Sequence, residues 1–327
     1  MTVLTEPVGS RRDLPEEMPR KLVTKPSGAD RVFNGLLAGS SATVLILLVA
    51  VVAFLGYHGW PALHRAGFGL LTDPTWSPDS GQFRMWPLLV GSFAIAIVGV
   101  AIALPISLAT ALMINEYAPR KLRPTLIMVI DALATVPSIV YGFWGLLLIS
   151  NLQEAPARWL VHNVAFIPIF RTAQAGQYGK SIFACGLISA ITIIPIITSI
   201  SREVMAQAPR DVCEAALGLG STRWGMVTDV VLPFSRNGII GASLLGFGRG
   251  LGETMIVALV LSSDNRLTSD LMGPGGLGSI AAEIANNFPS VDPLYKSALV
   301  LLGLVLFVAT LVVNALARVI VQRTAAA

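Results

Sequence analysis

"WPLLVGSFAIAIVGVAIALPISLATALMIN", residues 86–115, runs for thirty residues without one Asp, Glu, Lys or Arg. Hydrocarbon offers the backbone no hydrogen-bond partner, so a spanning segment must satisfy its own amides as a helix of roughly 20 apolar residues. Five further stretches meet the same test: 32–57, 125–150, 181–200, 237–262 and 297–319. With 54% hydrophobic and only 13% charged residues, the chain is too apolar for an ordinary soluble domain. The expected fold is an all-α integral membrane protein with six transmembrane helices.

Lys and Arg set the orientation, because cytoplasmic flanks carry the excess of positive charge. With the N-terminus inside, the inner segments hold fifteen of these residues and the outer segments seven, and Arg249 falls within a span. Both termini are therefore expected in the cytoplasm. Trp60, Trp86, Trp144 and Trp159 then lie near outer span ends, where an aromatic belt belongs. Residues 1–31 are polar and mixed in charge and are expected to form a disordered cytoplasmic tail; residues 320–327 form a short second one around the six-span domain, 32–319. The net charge of +4 does not argue for nucleic acid, since the basic residues flank the spans rather than sharing one face.

Cys185 and Cys213 are expected toward opposite membrane faces, which excludes a disulfide, and His58, His64 and His162 lack ligand spacing, so no metal is expected. "AGQYGKS", 175–181, ends like a phosphate loop, but the position needing its first glycine is Gln174. No nucleophile and base share a cavity, so the chain is not expected to be an enzyme.

Pro105, Pro137, Pro195 and a glycine ladder interrupt spans two to five. Such breakers are tolerated where neighbouring helices or water satisfy the freed carbonyls, which marks these four spans as the working core. Long outer loops, with clusters such as "MGPGGLGS", read as turns that either connect helices or dock a partner.

Span five contains "GASLLGFGRGLGETMIVAL". Gly246 with Gly250, and Gly248 with Gly252, form two small-residue pairs that let another helix approach. Arg249 lies near the bilayer midplane, where a charge costs about 2.5–3.5 kcal/mol on insertion scales and persists only with a partner or a wet cavity. Glu253, four residues on, is expected on the same helix face. The pair either lines an anion pathway, with the carboxylate restraining the guanidinium, or locks helices together. Asp131, six residues into span three, is a further candidate for the pathway.

Between spans four and five, the segment 201–236 is polar. Asp211 to Glu214 has the form of a capping box, Gly218 and Gly220 can end the helix it starts, and Ser221 or Thr222 can cap a second helix that Pro233 terminates. A short exposed helix, a glycine turn and a second helix make a unit shaped to be gripped.

Here the sequence resembles the membrane subunits of ATP-binding-cassette importers. Their loop signature, E-A-A, three residues, G, nine residues, I-x-L-P, stands as Glu214-Ala215-Ala216, Gly220 and Val230-Val231-Leu232-Pro233, with Val230 in place of Ile. The stretch from Glu214 to Thr254, "GFGRGLGET" included, is similar to phosphate importer permeases of the PstC type. The resemblance implies a type I importer architecture in the plasma membrane of a prokaryote. It implies coupling to ATPase subunits through Glu214, Ala215, Ala216, Gly220, Leu232 and Pro233, and a substrate pathway at Arg249 and Glu253. Implied partners are two PstB-type ATPases that use the ATP, a homologous PstA-type permease and an external PstS-type phosphate-binding protein; the chain itself needs no cofactor. A sulfate or molybdate permease, the sister PstA-type subunit and an ATP-independent channel or carrier are the alternatives.

Overall fold

The computed structural model describes residues 28–67, 85–149, 154–164, 166, 180–262, 265, 267–289 and 292–325. Most of the expected N-terminal tail and of "AGQYGKS" therefore lies outside the described residues. By internal contacts the chain separates into two units, 1–51 and 52–327. In the first, the described part of helix α1 (Gly28–Ala66) exposes Val32, Phe33, Leu36 and Val44 to Val49, as a lipid-facing helix does.

In the second unit the core is three long helices: α2 (Trp86–Leu112), α6 (Ile182–Ala206) and α9 (Leu232–Leu251). Between α2 and α6 come α3 (Arg123–Thr135), α4 (Ser138–Trp144) and α5 (Glu154–Asn163). Helices α7 (Arg210–Gly218) and α8 (Arg223–Met226) precede α9, while α10 (Met255–Val260), α11 (Ile280–Asn287) and α12 (Pro293–Ala325) follow it. No strand occurs among the described residues.

Helices α2 and α6 run parallel. Ser107 Oγ donates to the Ile194 carbonyl at 3.1 Å and Asn115 Nδ2 to that of Arg202 at 2.7 Å, both across 87 residues. Helix α9 runs antiparallel to α6, with Gly238 against Val204 and Gly246 against Ile193 and Ile197. This alternation agrees with the expected spans two, four and five. Among the described residues five helices are long and apolar enough to cross a membrane, and a sixth span results when the bent pair α3 and α4 is taken together.

That third span differs from a merely kinked helix: its halves meet at 86°. Pro137 excludes Val136 from helical geometry, and both residues are extended, with ψ of 127° and 136°. The Tyr141 hydroxyl donates to the Leu133 carbonyl across the break at 3.1 Å, supplying a partner that the lost helical amide would have been.

The fifth span departs further from the expected 237–262. It starts early, because Pro233 does not end the second helix. Leu232 N–H donates to Val227 O in a wide π-turn over Val227–Val231, and Pro233 falls in the first turn of α9, which continues from it. It also stops early, at Leu251. Thr254 Oγ1 donates to the Gly252 carbonyl at 3.1 Å, Glu253 N–H turns back to Gly250 O at 3.3 Å, and helix resumes only at Met255.

The loop before α11 is no surface loop. Gly275 and Gly276 take positive φ (83° and 79°), as the turn reading requires, yet Met272, Leu277 and Gly278 are buried among the helices. Ile280 N–H donates to Ser92 Oγ at 3.0 Å, and a Cβ on Gly91 would lie 1.9 Å from Gly278 O. Only glycine lets α2 and this loop meet so closely.

Candidate functional site

The breaks in the third and fifth spans lie side by side. Gly142 of α4 packs on Met255, Ile256 and Leu259 of α10, close enough that a Cβ there would approach Leu259 Cδ1 to 2.9 Å. Between them opens a cleft of about 670 Å³ lined by Ser138 at the start of α4, Ile196 of α6, Gly248 and Arg249 of α9, and the break residues Gly252, Glu253 and Thr254.

Arg249 is half-buried, and its Nε is buried without an acceptor. Glu253 is only 6% exposed. It does not lie one turn along the same helix as expected, because the helix has ended before it. No ion pair joins the two among the described residues. Among the described residues the carboxylate makes one bond, Oε1 accepting the Ile256 N–H at 3.5 Å at the first turn of α10. The cleft therefore holds a guanidinium whose Nε has no acceptor among the described residues, beside a buried carboxylate and within an apolar span, where a charge persists only with a partner or a wet cavity.

The glycine ladder divides between two jobs. A Cβ on Gly246 would sit 2.8 Å from Ile193 and Ile197, and one on Gly250 would sit 3.1 Å from Ala96 Cα, so this pair seats α9 on α6 and α2. Gly248 has open space around it, and Gly252 meets only carbonyls of its own helix at 3.7 and 3.8 Å; both line the cleft.

Asp131 is outside this cleft. It is exposed, accepts from Ser199 Oγ at 3.4 Å, and lines a separate pocket of about 520 Å³ with Arg120, Arg123 and Met128. Arg123 there donates through Nη2 to the Asn115 carbonyl. Ser199 lies one turn of α6, about 5 Å, beyond Ile196 toward the expected cytoplasmic end. Ser138 and Thr254 were not anticipated. The signals for them were present: a serine directly after Pro137, and a threonine two residues after Gly252 able to capture its carbonyl.

At the cytoplasmic end, α7 has no fully buried residue: Cys213 and Ala216 are half-buried against the cluster of Ala111, Met205 and Val227, and the rest of the helix is exposed. The expected capping box does not form, since the helix starts at Arg210 after Pro209 with no side-chain cap. Its other end closes as expected. Gly220 takes φ +91°, its N–H reaches Leu217 O at 3.0 Å, and Ser221 N–H reaches Ala216 O at 3.1 Å. Thr222 then caps α8 by accepting from Gly225 N–H at 3.0 Å. The tight turn leaves Leu219 89% exposed beside Val212 and Leu217, an apolar knob with no cover from its own chain.

Residues 101–326 match the family described as binding-protein-dependent transport system inner membrane component. The chain belongs to that family. It is also 37% identical over 297 residues to the phosphate transport system permease protein PstC of Xylella fastidiosa, covering 90% of this chain and 91% of the relative. The namesakes in Mesorhizobium japonicum (36%, 90% and 90%) and Mycobacterium tuberculosis (PstC 2; 35%, 89% and 91%) are similar over nearly the same length. Among solved structures, a bacterial ABC transporter that imports the acidic polysaccharide alginate superposes with a TM-score of 0.58 at 15% identity, over 90% of this chain and 96% of that one. The family, with this fold, makes the chain a multi-pass inner-membrane permease of the type I importer architecture.

Proposed function

We infer that the chain is one permease subunit of an ATP-driven phosphate importer and that the Arg249 cleft is its part of the anion pathway. Phosphate is the substrate in the names of relatives matched over about nine-tenths of the chain. The observation that carries the pathway is the unpaired, half-buried Arg249 at the meeting of two helix breaks. Glycines at 248 and 252 leave room for an anion beside it, and the absence of an ion pair leaves its charge available.

The second half of the pathway belongs to a homologous permease, and an external phosphate-binding protein delivers the anion. ATP is hydrolysed on separate ATPase subunits, which grip α7 around Glu214 to Gly220. This is helix-in-groove recognition, with Leu219 as its apolar knob. Leu232 and Pro233, at the start of α9, carry that movement to Arg249, seventeen and sixteen residues along the same helix, so closure of the ATPases is transmitted by a rigid element.

Arg249→Gln tests the pathway: uptake of labelled phosphate by the reconstituted importer is expected to fall at least tenfold, with assembly unchanged by co-purification. Rescue of uptake by exchanging Arg249 and Glu253 together would show a structural pair and remove the anion role.

A further inference from the structure

We propose that Glu253 selects anions that carry a hydroxyl, by accepting a hydrogen bond from the protonated oxygen of phosphate while Arg249 binds its unprotonated oxygens. This rests on the anion reading of the Arg249 cleft and adds to it a basis for discrimination.

A carboxylate in an anion pathway is a problem if it does nothing but repel. Glu253 is not neutralised by Arg249, and it is not turned out to solvent: it is 6% exposed and lines the cleft beside Gly248, Gly252 and Thr254. Among the described residues it makes one bond, Oε1 from Ile256 N–H at 3.5 Å, the long limit of a hydrogen bond, so among them nearly all the acceptor capacity of the two carboxylate oxygens is unspent. That bond also holds the side chain at the break, since α10 begins two residues later. A carboxylate has no proton to offer, so the only oxyanion it can welcome is one that brings its own.

Both forms of inorganic phosphate present near neutral pH keep at least one P–OH group, as does arsenate. Sulfate and molybdate have none and meet Glu253 as charge against charge. A hydrogen bond from a P–OH to a buried carboxylate is of the charge-assisted kind, and its loss leaves a desolvated acceptor facing a negative oxygen, which is worth about 10- to 100-fold in affinity. Of the two hydroxyls lining the cleft, Thr254 Oγ1 already donates to the Gly252 carbonyl, and Ser138, at the start of α4, discriminates less because a hydroxyl can donate to either anion.

The test is equilibrium binding of labelled phosphate and labelled sulfate to the purified permease and ATPase complex without the external binding protein, so that only the membrane site selects. The wild type is expected to bind phosphate, to have it displaced by arsenate, and to exclude sulfate. In Glu253→Gln the amide oxygen can still accept from Ile256 N–H, so folding is preserved, while the amide NH₂ can now donate to sulfate. The preference for phosphate over sulfate is expected to fall at least tenfold, and Glu253→Asp to retain it. An unchanged preference in Glu253→Gln, with phosphate binding intact, overturns the proposal and leaves Arg249 as the anion ligand. Phosphate binding that survives Arg249→Gln removes the anion reading of the cleft and the proposal with it.

Discussion

The two glycine pairs of α9 interleave within seven residues, yet they face different surroundings. Gly246 and Gly250 lie against Ile193, Ile197 and Ala96, where a side chain has nowhere to go; Gly248 and Gly252 border the cleft, where it has room. One pair fixes the helix on the core and the other keeps space beside Arg249. A small-residue spacing thus identifies a smooth helix surface without saying whether a helix or a cavity lies against it.

Leucine at each position separates the two jobs most sharply. Gly246→Leu forces a side chain into β-branched Ile193, and overpacking of this sort costs about 1–3 kcal/mol. It is expected to lower the thermal midpoint of the purified protein by several degrees. At Gly248 an added Cβ meets no neighbour within 4 Å and opens toward the cleft, so with Gly248→Leu the midpoint is expected to hold while labelled-phosphate uptake falls at least tenfold because the cleft is filled. An equal loss of midpoint in both variants would erase the distinction.

Alanine makes a finer version of the comparison. Replacing glycine where the backbone suits alanine gains about 0.4–1 kcal/mol, both at Gly250 inside α9 and at Gly252 just past its end, so the difference between sites isolates the contact. At Gly250 the new Cβ sits 3.1 Å from the Ala96 backbone, which must yield by a few tenths of an ångström; at Gly252, with φ −89°, it makes ordinary contacts. Gly250→Ala is expected to lose the gain, and Gly252→Ala to keep it, as read by thermal denaturation.

How far these features were legible follows from the same contrast. Hydropathy located the spans and glycine the turn at Gly220, because both depend on local chemistry: the hydrocarbon requirement, and a left-handed conformation that only glycine adopts freely. Of the three prolines expected to interrupt spans, only Pro137 does so; Pro105 and Pro195 sit inside unbroken helices. The break after Leu251 was not legible, since a run of glycines suits a packed helix as well as an interrupted one. Thr254 capturing the Gly252 carbonyl and Glu253 reaching Ile256 decide between them, and both act only once the chain has begun to turn. For that reason Arg249 and Glu253, expected on one helix face, are instead separated by the end of α9. Likewise "MGPGGLGS" could be read as turns, but its burial against Gly91 depends on a helix nearly two hundred residues earlier.

The smallest effect concerns covered and open surface at the other end of the protein. Cys185 is buried in the core, while Cys213 on α7 is partly covered by Ala111, Met205 and Val227. Burial first, and then the charges of Glu116 and Glu214, push the Cys213 thiol above its ordinary range. A raised value means less thiolate at a given pH, so maleimide labelling of Cys213 is expected to be slow at neutral pH and to accelerate as pH rises beyond the usual thiol range. Glu214→Gln removes one of the two charges and is expected to shift that rise to lower pH by a fraction of a unit, whereas Cys185 stays unlabelled throughout. If α7 is the element held by the ATPase, adding that subunit slows labelling further at every pH, because the partner covers the helix. Labelling that is indifferent to the ATPase would mean that the exposed Leu219 and Leu217 are gripped by nothing, and the transmission through α9 to Arg249 would lose its starting point.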